Sequence, residues 1–103
     1  METTFVETSV FTKAANRLLT SADREAVAEA LMENLKAGDV IPGSGGLRKL
    51  RIPGSGRGKR GGLRVIYAIR SDGAKTFLLL LFAKNERDDL TPAQYRQLAM
   101  LID

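Results

Sequence analysis

Cysteine and histidine are both absent from the 103 residues. Their absence excludes disulfides, thiol nucleophiles, zinc fingers and imidazole general bases together. Aromatics are scarce: two tyrosines, four phenylalanines and no tryptophan. Most fall at core parities, so a platform of base-stacking rings is unsupported. Long hydrophobic runs are missing too. The longest, Phe77 to Ala83, has seven residues, far short of the roughly 20 in a membrane-spanning helix. The opening METTFVETS is polar and carries no secretion signal. The expectation is a soluble, cytoplasmic protein whose chemistry falls to Lys, Arg, Tyr, Asp, Glu or the substrate itself.

One third of the chain also lacks acids. Between Val40 and Arg70 stand Arg48, Lys49, Arg51, Arg57, Lys59, Arg60, Arg64 and Arg70 without a single carboxylate. Met1 to Asp39 holds four bases and seven acids, and Ser71 to Asp103 four bases and five acids. This concentrated field matters more than the overall +4, because it attracts polyanions and releases their counterions. Nucleic acid is the leading partner. At 44% hydrophobic and 27% charged, residues 1–103 are expected to form one domain with a modest core.

Residue order predicts an α+β fold. Thr3 to Glu7 is rich in β-formers. Ser9 is a candidate N-cap for a helix with the stripe Phe11, Ala14, Ala15 and Leu18, and Ser21 for a second with Val27, Ala30, Leu31 and Leu35, which Gly38 ends with a left-handed stop. The two helices read as an antiparallel hairpin. Three strands follow at Leu47 to Ile52, Leu63 to Arg70 and Lys75 to Lys84, the last pair joined by a tight turn at Ser71-Asp72-Gly73. Thr91, Pro92 and Gln94 then combine N-cap, first-turn proline and capping-box partner for a helix with Tyr95, Leu98, Ala99 and Ile102 on one face. The order is β-α-α-β-β-β-α, with a small, mostly antiparallel sheet.

Strand alternation directs the charges. Lys49 and Arg51 alternate with Leu50 and Ile52, so an aliphatic pair facing the helices leaves the basic pair on the opposite surface. Arg64, at a strand start, can join them. Lys84 closes the last strand, and antiparallel pairing brings it back beside the Arg64 strand. A positive cleft built from several strands is the expectation.

The stretches GGLRKLRIPGSGRGKRGGLRVIYAI (Gly45 to Ile69) and LLLLFAKNERDDLTPAQ (Leu78 to Gln94) resemble the RelE/HigB toxins of bacterial type II toxin–antitoxin modules, most closely the HigB-like branch. The GLRKLR strand, the GK-x-GG-x-R-V-I-Y segment, the AKNE-x-x-x-LT turn and the element order carry the likeness over nearly the whole chain. It implies a microbial-RNase-like sheet with helices on one face and a ribosome-dependent endoribonuclease that cuts messenger RNA in the decoding site. A cognate antitoxin is implied as well, HigA-like and helix-turn-helix, through which alone operator DNA is bound. Family members place catalytic basic residues on positions that match Lys49, Arg51, Arg64 and Lys84. Many also have an arginine after the fourth strand and a tyrosine near the last helix, where this chain has Asn85 and Thr91. Arg87 or Tyr95 are the candidate substitutes, although Tyr95 fits the apolar stripe of its helix.

The missing histidine is less of an obstacle with RNA, because the ribose 2′-OH is an internal nucleophile. The protein must then supply a base, an acid and charge stabilisation. Cations crowded together favour the neutral form of a lysine among them, while arginines stay charged and clamp the phosphate. No cofactor or metal is called for. Arg48, Arg57, Lys59, Arg60, Asn85 and Arg87 are candidates for RNA or ribosome contact. For Arg48 and Arg70 the plainer explanation is a solvated strand-edge charge. Gly54 to Gly62 resembles a phosphate loop in composition only, lacking a strand-loop-helix context. Glu86, Asp88 and Asp89 read as a charged turn before a helix rather than a metal site. Three functions stay open: the ribosome-dependent nuclease, a ParE-like gyrase inhibitor, and a non-catalytic RNA- or ribosome-binding protein. Convergent cations favour the first.

Overall fold

The structure is a computed structural model that describes residues 2–53, 62–84 and 90–102. Its elements run β1 (Thr4–Glu7), α1 (Ser9–Leu18), α2 (Ser21–Glu33), β2 (Asp39–Val40), β3 (Arg48–Ile52), β4 (Leu63–Arg70), a single 3-10 turn (Ser71–Gly73), β5 (Lys75–Ala83) and α3 (Pro92–Met100). The strands form one sheet in the order β1-β5-β4-β3-β2. Only β1 on β5 is parallel; the other three pairings are antiparallel. The α+β reading and the element order hold, with β2 added. Two residues are too short to show an alternating pattern. Among the described residues no helix is long and apolar enough to cross a membrane.

Alternation along β4 sends apolar side chains both ways, and this determines the layering. Leu63, Val65 and Tyr67 join Phe11, Ala15, Leu18, Val27 and Leu31 of α1 and α2 in one core. Ile66 and Ala68 face the other way, into a second core with Tyr95 and Ala99 of α3 and with Ile41 and Leu47. The sheet is therefore covered on both faces, which corrects the expectation of helices on one face. A strand apolar at both parities needs cover on both sides. A bulge in β5 reinforces this arrangement: pairing steps from Ile66↔Leu80 to Tyr67↔Leu78, so the consecutive Leu79 and Leu80 both enter the α3-side core.

The caps also differ from expectation in detail. Thr8, not Ser9, caps α1: its hydroxyl accepts from the Phe11 amide at 3.0 Å and donates to the Leu79 carbonyl at 2.8 Å. One side chain thus serves both the helix start and the bulged strand. Thr20, not Ser21, caps α2, in a reciprocal capping box with Asp23. At α3 the box between Thr91 and Gln94 forms as expected. The α2 helix ends at Asn34 in extended conformation, well before Gly38, so Gly38 is not its stop. Gly38 is needed for space instead, since a Cβ there would lie 2.8 Å from Tyr67 Cε1 and 2.9 Å from the Lys49 carbonyl.

That close approach ties the α2–β2 connection to the sheet. The buried Tyr67 hydroxyl donates to the Leu35 carbonyl at 2.6 Å and accepts from the Gly38 amide at 2.9 Å. Burial pushes the Tyr67 phenol above its ordinary value of 10.0; the Gly38 hydrogen bond and Arg48 oppose the rise, and Asp39 adds to it.

Candidate active site

Register places the cations in rows across one face of the sheet. Arg51 pairs with Arg64, which pairs with Phe82. Two residues back along β3, Lys49 pairs with Ile66 on one side and with Asp39 on the other. On the far side of the arginine row the Lys84 amide donates to the Gly62 carbonyl at 3.2 Å, which holds Lys84, just past the end of β5, beside the start of β4. Cross-strand partners point to the same side of a sheet, so Lys49, Arg51 and Arg64 share the face that α3 covers in part, and Lys84 follows at the end of β5 beside them. Successive rows are about 7 Å apart along the strands. The arginine row lies in the middle, with a lysine row on each side.

Like charges set directly opposite one another destabilise a strand pair, and Arg51↔Arg64 is such a pair. Arg64 is also 7% exposed, a depth at which a guanidinium is held by partners. It donates to the Leu63 carbonyl at 3.3 Å. Gly62 makes room beside it: φ is +80°, and a Cβ would lie 2.6 Å from the Ile52 carbonyl oxygen. A buried arginine set opposite a second arginine is an unusual use of a strand pair, and local departures of this kind concentrate at functional sites.

Beside these rows lies a cavity of about 380 Å³, lined among others by Asp39, Lys49, Arg51 and Tyr95, with Ile41 and Pro42 on one side and Leu90 and Pro92 on another. Tyr95 is 3% exposed and belongs to the core of its helix face, as its apolar spacing predicts, yet it also reaches the cavity wall. Asp39 escaped the sequence reading. It is the last acid before the acid-free third, and its strand is too short to signal which way it faces. The loop between β2 and β3 is held shut by the buried Ser44, whose hydroxyl bonds the Ile41 carbonyl and accepts from the Leu47 amide at 3.0 Å. Arg96 of α3 donates to the Gly43 carbonyl at 3.3 Å, which fixes the loop against the helix.

Arg48 stands apart from this group. It lies opposite Tyr67 and Val40 in register, on the α1–α2 side, and its guanidinium donates to the Gly38 carbonyl at 2.8 Å and the Lys36 carbonyl at 3.4 Å. Arg70 donates to the Ile69 and Gly45 carbonyls. The expected contacts at Arg57, Lys59, Arg60, Asn85 and Arg87, and the acids Glu86, Asp88 and Asp89, lie outside the described residues. Among the described residues no three Asp or Glu side chains gather at metal-binding spacing.

Residues 4–102 match the family described as the RelE toxin of the RelE/RelB toxin–antitoxin system. The chain belongs to the RelE toxin family. The fold agrees: an arginine-to-alanine double mutant of E. coli toxin RelE, solved in the free state, superposes with a TM-score of 0.64 at 15% identity, covering 100% of both chains. As a RelE-family toxin the protein has an antitoxin as its natural partner.

Proposed function

We propose that this RelE-family protein, as a single toxin domain over residues 1–103, is a ribosome-dependent messenger-RNA endoribonuclease. It acts in the cytoplasm and blocks translation by cutting in the ribosomal A site. The observation that supports this reading is the arginine row on one face of the sheet, flanked by lysines. A gyrase-binding toxin has no need to bring four cations toward one phosphate, whereas phosphodiester cleavage does.

The reaction balances without a protein nucleophile. The ribose 2′-oxygen attacks the adjacent phosphorus, the bond to the 5′-oxygen breaks, and the products are a 2′,3′-cyclic phosphate and a 5′-hydroxyl. A base removes the 2′-OH proton and an acid protonates the departing 5′-oxygen. Arg51 and Arg64 clamp the phosphoryl oxygens as negative charge builds. Lys49 and Lys84, on opposite sides of that clamp, are the groups that exchange protons with the two sugar oxygens. The 2′-OH nucleophile also explains how a protein without histidine or cysteine does this work. The antitoxin that silences it is HigA-like, with a segment complementary to the basic surface.

The test is primer extension on messenger RNA in a translation reaction, with and without purified ribosomes. Wild-type protein is expected to leave cuts within codons only when ribosomes are present, and Lys84→Ala to leave none while keeping its fold. Intact messenger despite growth arrest by the same protein contradicts the nuclease reading and directs attention to gyrase.

A further inference from the structure

One end of the cavity carries a charge that phosphate binding does not use. Asp39 projects from the β2 edge opposite Lys49 and lines the cavity, about 7 Å along the sheet from the Arg51–Arg64 row. A carboxylate repels phosphate, so the two ends of the site differ: guanidinium at one, carboxylate at the other. Between them the walls are apolar, with Ile41 and Pro42 from the β2–β3 loop and Leu90 and Pro92 before and at the start of α3. At about 380 Å³ the space falls among small-molecule sites, roughly 300–1,000 Å³, which are mostly apolar with a few placed polar groups. Among the described residues no ion pair or side-chain hydrogen bond occupies the Asp39 carboxylate.

We propose that this cavity is a nucleobase pocket in which Asp39 selects a base bearing an amino group. The flat base slides between the apolar walls, its phosphate stays on the arginine row, and the amino group donates to the carboxylate. Cytosine presents such a donor at its 4-amino group. Uracil presents a carbonyl oxygen at the same position, which would face the carboxylate oxygen to oxygen. Lys49 lies beside Asp39 in register, and a carboxylate oxygen accepts from an amino group. Where the protein cuts messenger RNA, an inference that rests on the nuclease reading, the pocket makes Asp39 a determinant of which nucleotide is accepted at the site.

The test uses the isolated protein and two probes that differ at that one position. Titrating isotope-labelled protein with CMP and with UMP, followed by amide NMR, is expected to shift resonances around Asp39, Lys49 and Tyr95. CMP is expected to bind about tenfold more tightly than UMP. The exposed Asp39→Asn variant, whose fold the same spectra report, is expected to bind the two nucleotides within about twofold. Equal affinities in the wild-type protein, a preference that survives Asp39→Asn, shifts elsewhere on the surface, or no binding of either nucleotide would each overturn the assignment. Neither ribosomes nor cleavage enters this measurement. A protein that prefers CMP but cuts no messenger keeps the pocket and loses the nuclease, and one that cuts but binds both nucleotides alike does the reverse.

Discussion

Arg51 and Arg64 put two positive charges at one cross-strand position, and that conflict makes a two-part prediction. Replacing Arg51 by Gln removes the repulsion and is expected to raise stability by roughly 0.2–1 kcal/mol in urea unfolding. The same change is expected to slow messenger cleavage by about 10²-fold or more, because a charge that stabilises the transition state is gone. A variant both less stable and fully active would show that the pair serves packing. Tyr67 behaves differently, as its two hydrogen bonds are structural. Tyr67→Phe leaves the Leu35 carbonyl and the Gly38 amide without their partner, an expected loss of about 1–3 kcal/mol. The phenol of Tyr67 is raised by burial, so the folded state holds its proton more tightly than the unfolded state does. Its contribution is complete below the unfolded value of about 10 and declines as pH rises from there toward the folded value. Denaturation midpoints at increasing alkaline pH are expected to fall more steeply for wild type than for Tyr67→Phe.

At the scale of elements, α3 does two things: it buries Tyr95 and Ala99 and it walls the cleft. Its capping box is therefore coupled to the site. Thr91→Ala is expected to cost about 0.5–2 kcal/mol and to raise exchange of the α3 amides more than those of β4. The elements themselves were largely legible in the sequence. The span of β4 was read to the residue, and the turn at Ser71–Gly73 and the Thr91–Gln94 box were read from residue types whose local chemistry is self-contained. What escaped depended on contacts distant in sequence. Thr8 rather than Ser9 caps α1 because it also reaches the Leu79 carbonyl, and no local pattern announces that bond. The β5 bulge, where one inserted residue changes the side to which a leucine points, reinforces the cover on both faces that β4 sets up. In the site, parity along β3 and β4 was enough to bring Lys49, Arg51 and Arg64 onto one face and to carry Lys84 beside them. It also separates Arg48 from them, although the basic composition of that stretch groups all of them together. Asp39 was invisible because its role depends on pairing with Lys49 across a two-residue strand.

For the whole molecule, charge is divided by region: the acid-free third supplies strands β3 and β4, while the flanks are net negative. Contact with RNA is then expected to weaken with salt. Because Lys49, Arg51, Arg64 and Lys84 converge on one phosphate, they contribute about −0.7 to the slope of the logarithm of affinity for single-stranded RNA against the logarithm of salt, and replacing all four by alanine removes that contribution. Fluorescence polarisation across a salt series reads both values. Binding that is insensitive to salt would mean that these cations do not meet phosphate. In the proposed reaction the cationic site cleaves RNA through the substrate's own 2′-OH. The most direct measurement is the single-turnover cleavage rate of a ribosome-held messenger whose scissile nucleotide carries hydrogen in place of that hydroxyl. The deoxy-substituted messenger is expected to bind and stay intact while the unmodified one is cut to a 2′,3′-cyclic phosphate; cleavage of both at similar rates would rule out the 2′-OH as nucleophile.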